Sequence, residues 1–188
     1  MTERRPTLDD LAWPMRTARL ELRRGRPGDA QAVFAYRRRE DVARWLGRVQ
    51  TDERYWTQQW AERVDTAIIV EHDGQVIGDT RLVVRDANAQ AEVMDAARRV
   101  EAELMWAFDP AWHGQGYATE AIGELIRIGF DELHLRRLTA VCYADNERSW
   151  RLMERVGMRR ESRSVRSALH RSGIWQDFLT YAVLAPSE

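Results

Sequence analysis

The chain has 188 residues, 44% hydrophobic and 31% charged, and a formal net charge of −1, as expected for one globular domain with no general attraction to nucleic acid. No apolar run approaches the roughly 20 residues that span a bilayer, and residues 1–14 lack the apolar core of a signal peptide. A single cysteine excludes an internal disulfide framework, so we predict a cytoplasmic protein that binds neither nucleic acid nor membranes.

In the first half of the chain, alternation and helical spacing predict three strands and two helices. In chain order these are a strand at 19–23, a helix from Asp29 to about Arg39, a helix after Thr51, and strands at 67–70 and 76–84. Trp56, Trp60 and Val64 share one face of the second helix, and an aromatic stripe at this spacing is more often core than binding site. Asp73-Gly74 is a hairpin dipeptide that would join the two later strands.

The second half of the chain continues the alternation of strands and helices. In chain order we predict a short helix or mobile insert at 86–100, a strand at 101–108, a helix from about 117 to 133, a strand at 137–143, a helix at 147–156 and a hairpin of 160–170 with 174–184. The whole is one α/β domain at 15–185 after an N-terminal tail at 1–14. Its sheet is mixed and mainly antiparallel, with about seven strands and about four helices.

A two-glycine loop between the strand at 101–108 and the following helix is the most informative local feature. Gly114 and Gly116 allow an anion to approach main-chain N–H groups at the positive end of that helix. A P-loop is excluded because all 29 basic residues are arginines. A dinucleotide fingerprint is excluded because Thr119 stands where a third small residue is needed. The loop therefore predicts a phosphate or pyrophosphate site of another kind.

Two sequence blocks resemble a known family. Residues 113–118, HGQGYA, resemble the acetyl-CoA pyrophosphate loop of the GNAT N-acetyltransferases, and 112–121 are similar to the RimJ/RimL-type branch, the ribosomal-protein N-terminal acetyltransferases. Residues 146–158 resemble the N-x-x-S…G-[FM] segment of that branch, and 17–23 and 173–177 add shorter matches. The resemblance covers about 15–185. It implies the GNAT fold and direct acetyl transfer from acetyl-CoA to a primary amine.

The resemblance also implies which residues bind acetyl-CoA. The pyrophosphate would lie on main-chain N–H groups of the loop, and the pantetheine arm on the main chain of a strand that splays from its neighbour. The first group is His113, Gly114, Gln115, Gly116, Tyr117, Ala118 and Thr119; the second is Trp106, Ala107 and Phe108. Asn146 would hydrogen-bond the cofactor arm, although a residue of this type at a helix start is also a good cap.

Glu103 is the candidate general base, since some family members carry a water-relaying glutamate there. Glu101 alternates onto the same strand face, so the choice of base between Glu101 and Glu103 stays open. The alternative that Glu103 is a solvated carboxylate at the strand end, with no catalytic role, also stays open. Many family members carry a tyrosine acid seven residues after the asparagine, but this chain has Met153. The RimJ/RimL-type branch has a serine three residues after it, which implies that Ser149 protonates the leaving thiolate.

Other reactive residues receive structural interpretations. Cys142 lies in an apolar strand and is expected in the core. The four histidines show no metal-ligand spacing, so no metal is predicted. Arginine clusters at 23–26, 37–39 and 159–171 are more typical of solvated faces than of contacts with CoA or an acidic substrate. Trp45 is left open between core and acceptor pocket.

The sequence leaves the acceptor undecided. It is either a protein N-terminal α-amine or a small molecule such as an aminoglycoside, a polyamine or an amino-acid derivative. The protein would be a monomer or a homodimer. The rival hypothesis is a non-catalytic acyl-CoA-binding sensor or regulatory module of the same fold, which Met153 supports.

Overall fold

One eight-stranded sheet organises the protein, and the computed structural model describes residues 4–186. The strands are β1 (Met15–Arg16), β2 (Glu21–Arg24), β3 (Ala67–His72), β4 (Gln75–Arg85), β5 (Glu101–Phe108), β6 (Arg137–Tyr143), β7 (Arg159–Leu169) and β8 (Trp175–Leu184). Their order is β1-β2-β3-β4-β5-β6-β8-β7, and the central pair β5–β6 is parallel while all other neighbours are antiparallel. The predicted single α/β domain with a mixed, mainly antiparallel sheet is confirmed, with one strand more than expected.

Within residues 4–186, five α-helices connect the strands. They are α1 (Ala30–Arg37), α2 (Glu40–Ala43), α3 (Glu53–Ala61), α4 (Tyr117–Arg127) and α5 (Glu147–Arg155), and a π-helical turn at Ile128–Glu132 follows α4. The helix expected from Asp29 to about Arg39 is α1, which ends at Arg37, and α2 is a separate helix because Arg39 between them is extended at φ −63°, ψ 138°. The segment at 86–100 forms a 3-10 helix at Ala91–Ala97.

Two apolar cores lie on opposite faces of the sheet, as the alternation along β3 shows. Ile68 belongs to the first core, under α4 and α5, whereas Ile69 belongs to the second core, under α1 and α3. Trp56 and Trp60 of α3 are almost fully buried in the second core, which confirms the core interpretation. Before β1, Leu8, Leu11 and Trp13 pack against the first core; residues 1–3 of the predicted tail lie outside the described residues.

A buried ion pair connects α1 to the sheet. Arg37 donates two hydrogen bonds to Asp79 of β4, at 2.8 and 2.6 Å, and the Tyr36 hydroxyl donates a third at 2.7 Å. Removing one partner of a buried pair leaves an uncompensated charge, so we expect Asp79→Ala to lower the free energy of unfolding by about 3–5 kcal/mol. Urea denaturation measures the change.

The matched control is Asp41→Ala. Its carboxylate pairs with Arg39 at 3.2 Å, but both side chains are about half exposed. An exposed pair contributes at most about 1 kcal/mol. Equal losses in the two variants would contradict a structural role for Asp79.

Candidate active site

A wedge-shaped opening divides the sheet between its two parallel strands. β5 and β6 pair only at Glu101↔Arg137, Ala102↔Leu138 and Glu103↔Thr139. Beyond these pairs β5 continues along β4 as far as Phe108, and β6 continues along β8 as far as Tyr143. The facing edges of the two strands therefore separate after Glu103, and the main-chain groups of β5 beyond it have no strand partner on that side.

The register decides which main-chain groups face the opening. Asp109 N–H donates to Ile77 O at 2.9 Å, so these two residues form a hydrogen-bonded pair between β5 and β4. Hydrogen-bonded and non-hydrogen-bonded pairs alternate along an antiparallel ladder. The main-chain N–H and C=O of Ala107 therefore bond to Asp79 of β4. Those of Trp106 and Phe108 point toward β6. Two of the three residues expected at the pantetheine arm thus turn main-chain groups toward the opening, and of these groups the Phe108 carbonyl accepts a hydrogen bond from His113.

The glycine loop lies at the wide end of the opening. Gly114 and Gly116 have φ of +79° and +83°, and α4 begins immediately after, at Tyr117. The first N–H groups of a helix have no intrahelical acceptor. A Cβ placed on Gly114 would meet nothing within 4 Å, so the loop surface is open. This geometry is compatible with the predicted pyrophosphate site. We call its outward-facing main-chain N–H groups, from Gly114 to Thr119, the cradle.

Contacts from the N-terminal segment hold the loop in place. Arg19 donates to Glu120 Oε2 at 2.7 Å and to the Gln115 carbonyl at 3.0 Å, and its guanidinium lies over the Tyr117 ring. Thr17 Oγ1 donates to Glu120 Oε1 at 2.6 Å. Sequence reasoning noted the match at 17–23 but gave Arg19 and Thr17 no role. Their partners are about a hundred residues away, beyond the reach of local patterns.

His113 connects the end of β5 to α5. Its Nε2 donates to the Phe108 carbonyl at 3.3 Å, and Arg148 Nη1 donates to its Nδ1 at 3.2 Å. Burial lowers the pKa of His113, and the charge of Arg148 lowers it further. The ring is therefore neutral at pH 7, and both its nitrogens are engaged with the protein.

Glu103 lies at the vertex of the opening. Its carboxylate pairs with Arg85 at 3.0 Å, and Arg85 also donates to Thr139 Oγ1. Glu101, on the same sheet face, pairs with Arg136 at 3.0 Å and with Arg137 at 3.3 Å. Glu103 is thus the carboxylate nearer to the opening, and Glu101 is held between two arginines away from it.

The far side of the opening carries the residues at the start of α5. Asn146 precedes the helix without a side-chain capping bond, so capping does not explain it. Burial raises the pKa of the Cys142 thiol to about 11, and the neighbouring Ser149 hydroxyl acts weakly in the opposite direction. Cys142 and Met153 are both buried in the first core. The core interpretation of Cys142 is confirmed, and its protonated thiol is a poor nucleophile.

One sheet face beside the opening is left uncovered. Met105 of β5 and Val141 of β6 are 41% and 36% exposed although both strands are central. Trp45 stands at the edge of this face, with ring centroids 6.3 Å from Tyr143 and 5.8 Å from His170. Alternation along β6 places Tyr143 on the same face as Val141. We call this uncovered surface of β4, β5 and β6 the open face.

Two absences complete the geometry. Within residues 4–186, no three or more His, Cys, Asp or Glu side chains are grouped so as to hold a metal ion. No helix in the same range is long and apolar enough to cross a membrane.

A parallel pair that separates beside a glycine loop at a helix N-terminus is the arrangement expected of an acyl-CoA-dependent acyltransferase. The family model described as the acetyltransferase (GNAT) domain matches residues 19–159. The chain therefore belongs to the GNAT acetyltransferase family, and the protein is an acyltransferase.

Individual relatives agree with the family. The chain is 37% identical over 82 residues to a Bacillus subtilis protein named uncharacterized N-acetyltransferase YnaD, which is 44% of this chain and about half, 48%, of that one. A solved GNAT-family acetyltransferase from Bacillus anthracis is 27% identical, with a TM-score of 0.77 over 92% of this chain and 98% of that one. RimL is a solved structure described as a ribosomal L7/L12 α-N-protein acetyltransferase in complex with coenzyme A. It has a TM-score of 0.75 at 16% identity, over 92% of this chain and 97% of the RimL chain. The last similarity shows the fold alone and confirms the expected GNAT fold.

Proposed function

We propose that the protein transfers an acetyl group from acetyl-CoA directly to a primary amine, with no covalent enzyme intermediate. The observation that carries this proposal is the separation of β5 from β6 after Glu103, beside the loop of Gly114 and Gly116. Acetyltransferases of this family use acetyl-CoA as the donor, and RimL is solved with coenzyme A.

The residues around the opening fit that donor. The pyrophosphate would lie on the main-chain N–H groups from Gly114 to Thr119, where Gly114 leaves the surface open. The pantetheine arm would bond the main-chain groups of Trp106 and the main-chain N–H of Phe108, because the Phe108 carbonyl is bonded to His113. The Asn146 amide, which has no capping partner, would bond the same arm from the far side.

The chemical roles follow from position. Glu103, which pairs with Arg85 at the vertex of the opening, would accept the proton that the amine loses, directly or through a water. A main-chain N–H of Trp106 or Phe108 would stabilise negative charge on the acetyl oxygen, an effect of about 2.7–4 kcal/mol. The nitrogen–carbon bond forms and the carbon–sulfur bond breaks; Ser149 would donate its hydroxyl proton to the leaving thiolate and regain a proton from water.

The non-catalytic sensor remains the second candidate, because Met153 is buried where many family members carry a tyrosine acid. The two functions differ in one measurement, the release of free thiol from acetyl-CoA with a panel of amines and peptides. Amine-dependent release supports transfer. Binding of acetyl-CoA without release across the panel would favour the sensor.

Ligand-induced stabilisation gives an earlier test. At a ligand concentration of 100 times Kd, binding to the folded state alone adds about 2.7 kcal/mol. For a chain of this size we expect CoA and acetyl-CoA to raise Tm by roughly 5–10 °C in differential scanning fluorimetry. NADH, which shares a diphosphate and an adenosine, is the control and should have no effect. An equal shift with NADH would indicate generic anion binding.

The acceptor and setting are proposed more broadly. Either a protein N-terminal α-amine or a small-molecule amine would approach from the open face, where Met105 and Val141 are exposed. We further propose a cytoplasmic monomer or homodimer in which residues 15–185 form the catalytic domain.

A further inference from the structure

The open face carries one arginine, Arg81, that has no ion pair in the described residues. Arg81 of β4 lies directly opposite Met105 of β5, and its Nε is buried with no hydrogen-bond partner in the part of the chain that the structure describes. Arg63, just after α3, is close enough to affect Arg81 electrostatically. In the same described range neither side chain has an ion pair.

Nearby carboxylates are already committed to other arginines. Asp79, two residues before Arg81 on the same face, accepts two bonds from Arg37 and one from Tyr36. Glu103, on the neighbouring strand, pairs with Arg85. Burial lowers the pKa of Arg81 and the charges of Arg63 and Arg37 lower it further, while the charge of Asp79 raises it without reversing the direction. A partly buried guanidinium without an anion is unfavourable, so a missing anion is the natural counterpart.

The position of Arg81 relates this charge to the reaction. Arg81 pairs with Met105, and Val83 pairs with Glu103, so Arg81 and Glu103 are diagonal neighbours on one face. Diagonal neighbours in an antiparallel pair lie about 7–8 Å apart at the backbone. An anion at Arg81 would therefore sit a few bonds from an amine at Glu103.

We propose that Arg81, assisted by Arg63, binds a carboxylate of the acceptor, so that the preferred substrate is a primary amine with a carboxylate a few bonds away. This deepens the proposed function and rests on it. Two kinds of acceptor combine a primary amine with a nearby carboxylate in this way. One is a peptide N-terminus followed by acidic residues, and the other is a free amino dicarboxylate. It disfavours polyamines, whose charges Arg63 and Arg81 would repel.

Binding tests the proposal without requiring turnover. Calorimetry on the CoA-saturated protein would compare the C-terminally amidated peptides Ser-Glu-Asp-Ala, Ser-Gln-Asn-Ala and Ser-Lys-Lys-Ala, with glutamate and spermidine as small-molecule arms. Charge-assisted bonds predict that the acidic peptide or glutamate binds about ten- to a hundredfold more tightly than the neutral peptide. Equal binding of the acidic and neutral probes would overturn the proposal. The peptide and glutamate arms distinguish the two sources.

Variants link the preference to the arginine. Arg81→Gln should remove the preference for the acidic probe, and Arg81→Lys should restore part of it. Arg16→Gln is the matched control, because Arg16 is exposed on β1, three strands away from β4. An unchanged preference in Arg81→Gln would also overturn the proposal; CoA-induced stabilisation confirms that each variant is folded.

Failure of this inference and failure of the proposed function are distinguishable. If acidic probes bind through Arg81 but no amine releases thiol, the anion site stands and the acetyl transfer fails. If thiol release occurs with acidic, neutral and basic amines alike, the transfer stands and the anion site fails.

Discussion

Gly116→Asp is expected to abolish binding of coenzyme A. The substitution places a side chain in the proposed cradle, where Gly116 has φ +83°. Two negative charges about 4 Å apart near a protein surface repel by about 4 kcal/mol, a loss of roughly a thousandfold in affinity. Calorimetric titration with CoA measures this directly. The fold should survive, because the new Cβ would meet only the end of a flexible side chain, Arg19 Nη2, at 3.4 Å.

Gly157→Asp is the matched control for this loop. Gly157 follows α5 with φ +86°, and a Cβ there would meet nothing within 4 Å. The backbone strain is the same in kind, but the site is the end of α5 rather than the start of α4. We expect normal CoA affinity in Gly157→Asp. Normal affinity in Gly116→Asp as well would refute the placement of the pyrophosphate.

Glu103→Gln is expected to lower turnover by about 10²–10⁴, the usual contribution of a positioned general base. The amide keeps the shape of the carboxylate but cannot accept a proton from the amine. CoA affinity should be unchanged, because the proposed pyrophosphate site follows the C-terminal end of β5, whereas Glu103 lies near the N-terminal end of that strand. Steady-state rates of thiol release, together with the CoA titration, separate the two effects.

Glu101→Gln resolves the ambiguity left by strand alternation. Glu101 faces the same side as Glu103 but is held by Arg136 and Arg137 away from the opening. We expect nearly full activity in this variant. If Glu101→Gln loses turnover and Glu103→Gln does not, the base is Glu101.

Local patterns predicted most of the secondary structure because local interactions determine it. β6 was predicted at its observed ends, Arg137–Tyr143, and Gly157 has the left-handed conformation expected after α5. Asp29 precedes α1 as expected, but its carboxylate binds Arg23 and the Arg26 N–H instead of capping the helix. β1 was missed, since two residues carry no detectable alternation.

Tertiary features of the candidate site were beyond local patterns. The opening between β5 and β6 was expected only through the family resemblance, because no residue type marks where two strands separate. The contacts of Arg19 with Gln115 and Glu120 join segments distant in sequence. The isolation of Arg81 is a property of its neighbours, so it is visible only in three dimensions. The roles of Glu103, Ser149 and Asn146 stay predictions.

The separation of β5 from β6 has a mechanical consequence. Three residue pairs are the whole backbone pairing, among the described strands, between a five-stranded half of the sheet and a three-stranded half. A donor molecule seated between them would supply hydrogen bonds that the polypeptide omits, in effect acting as a ninth strand. Occupancy by the cosubstrate and rigidity of the enzyme would then rise together, and the pocket wall that receives the acceptor would become firm only after the donor has arrived.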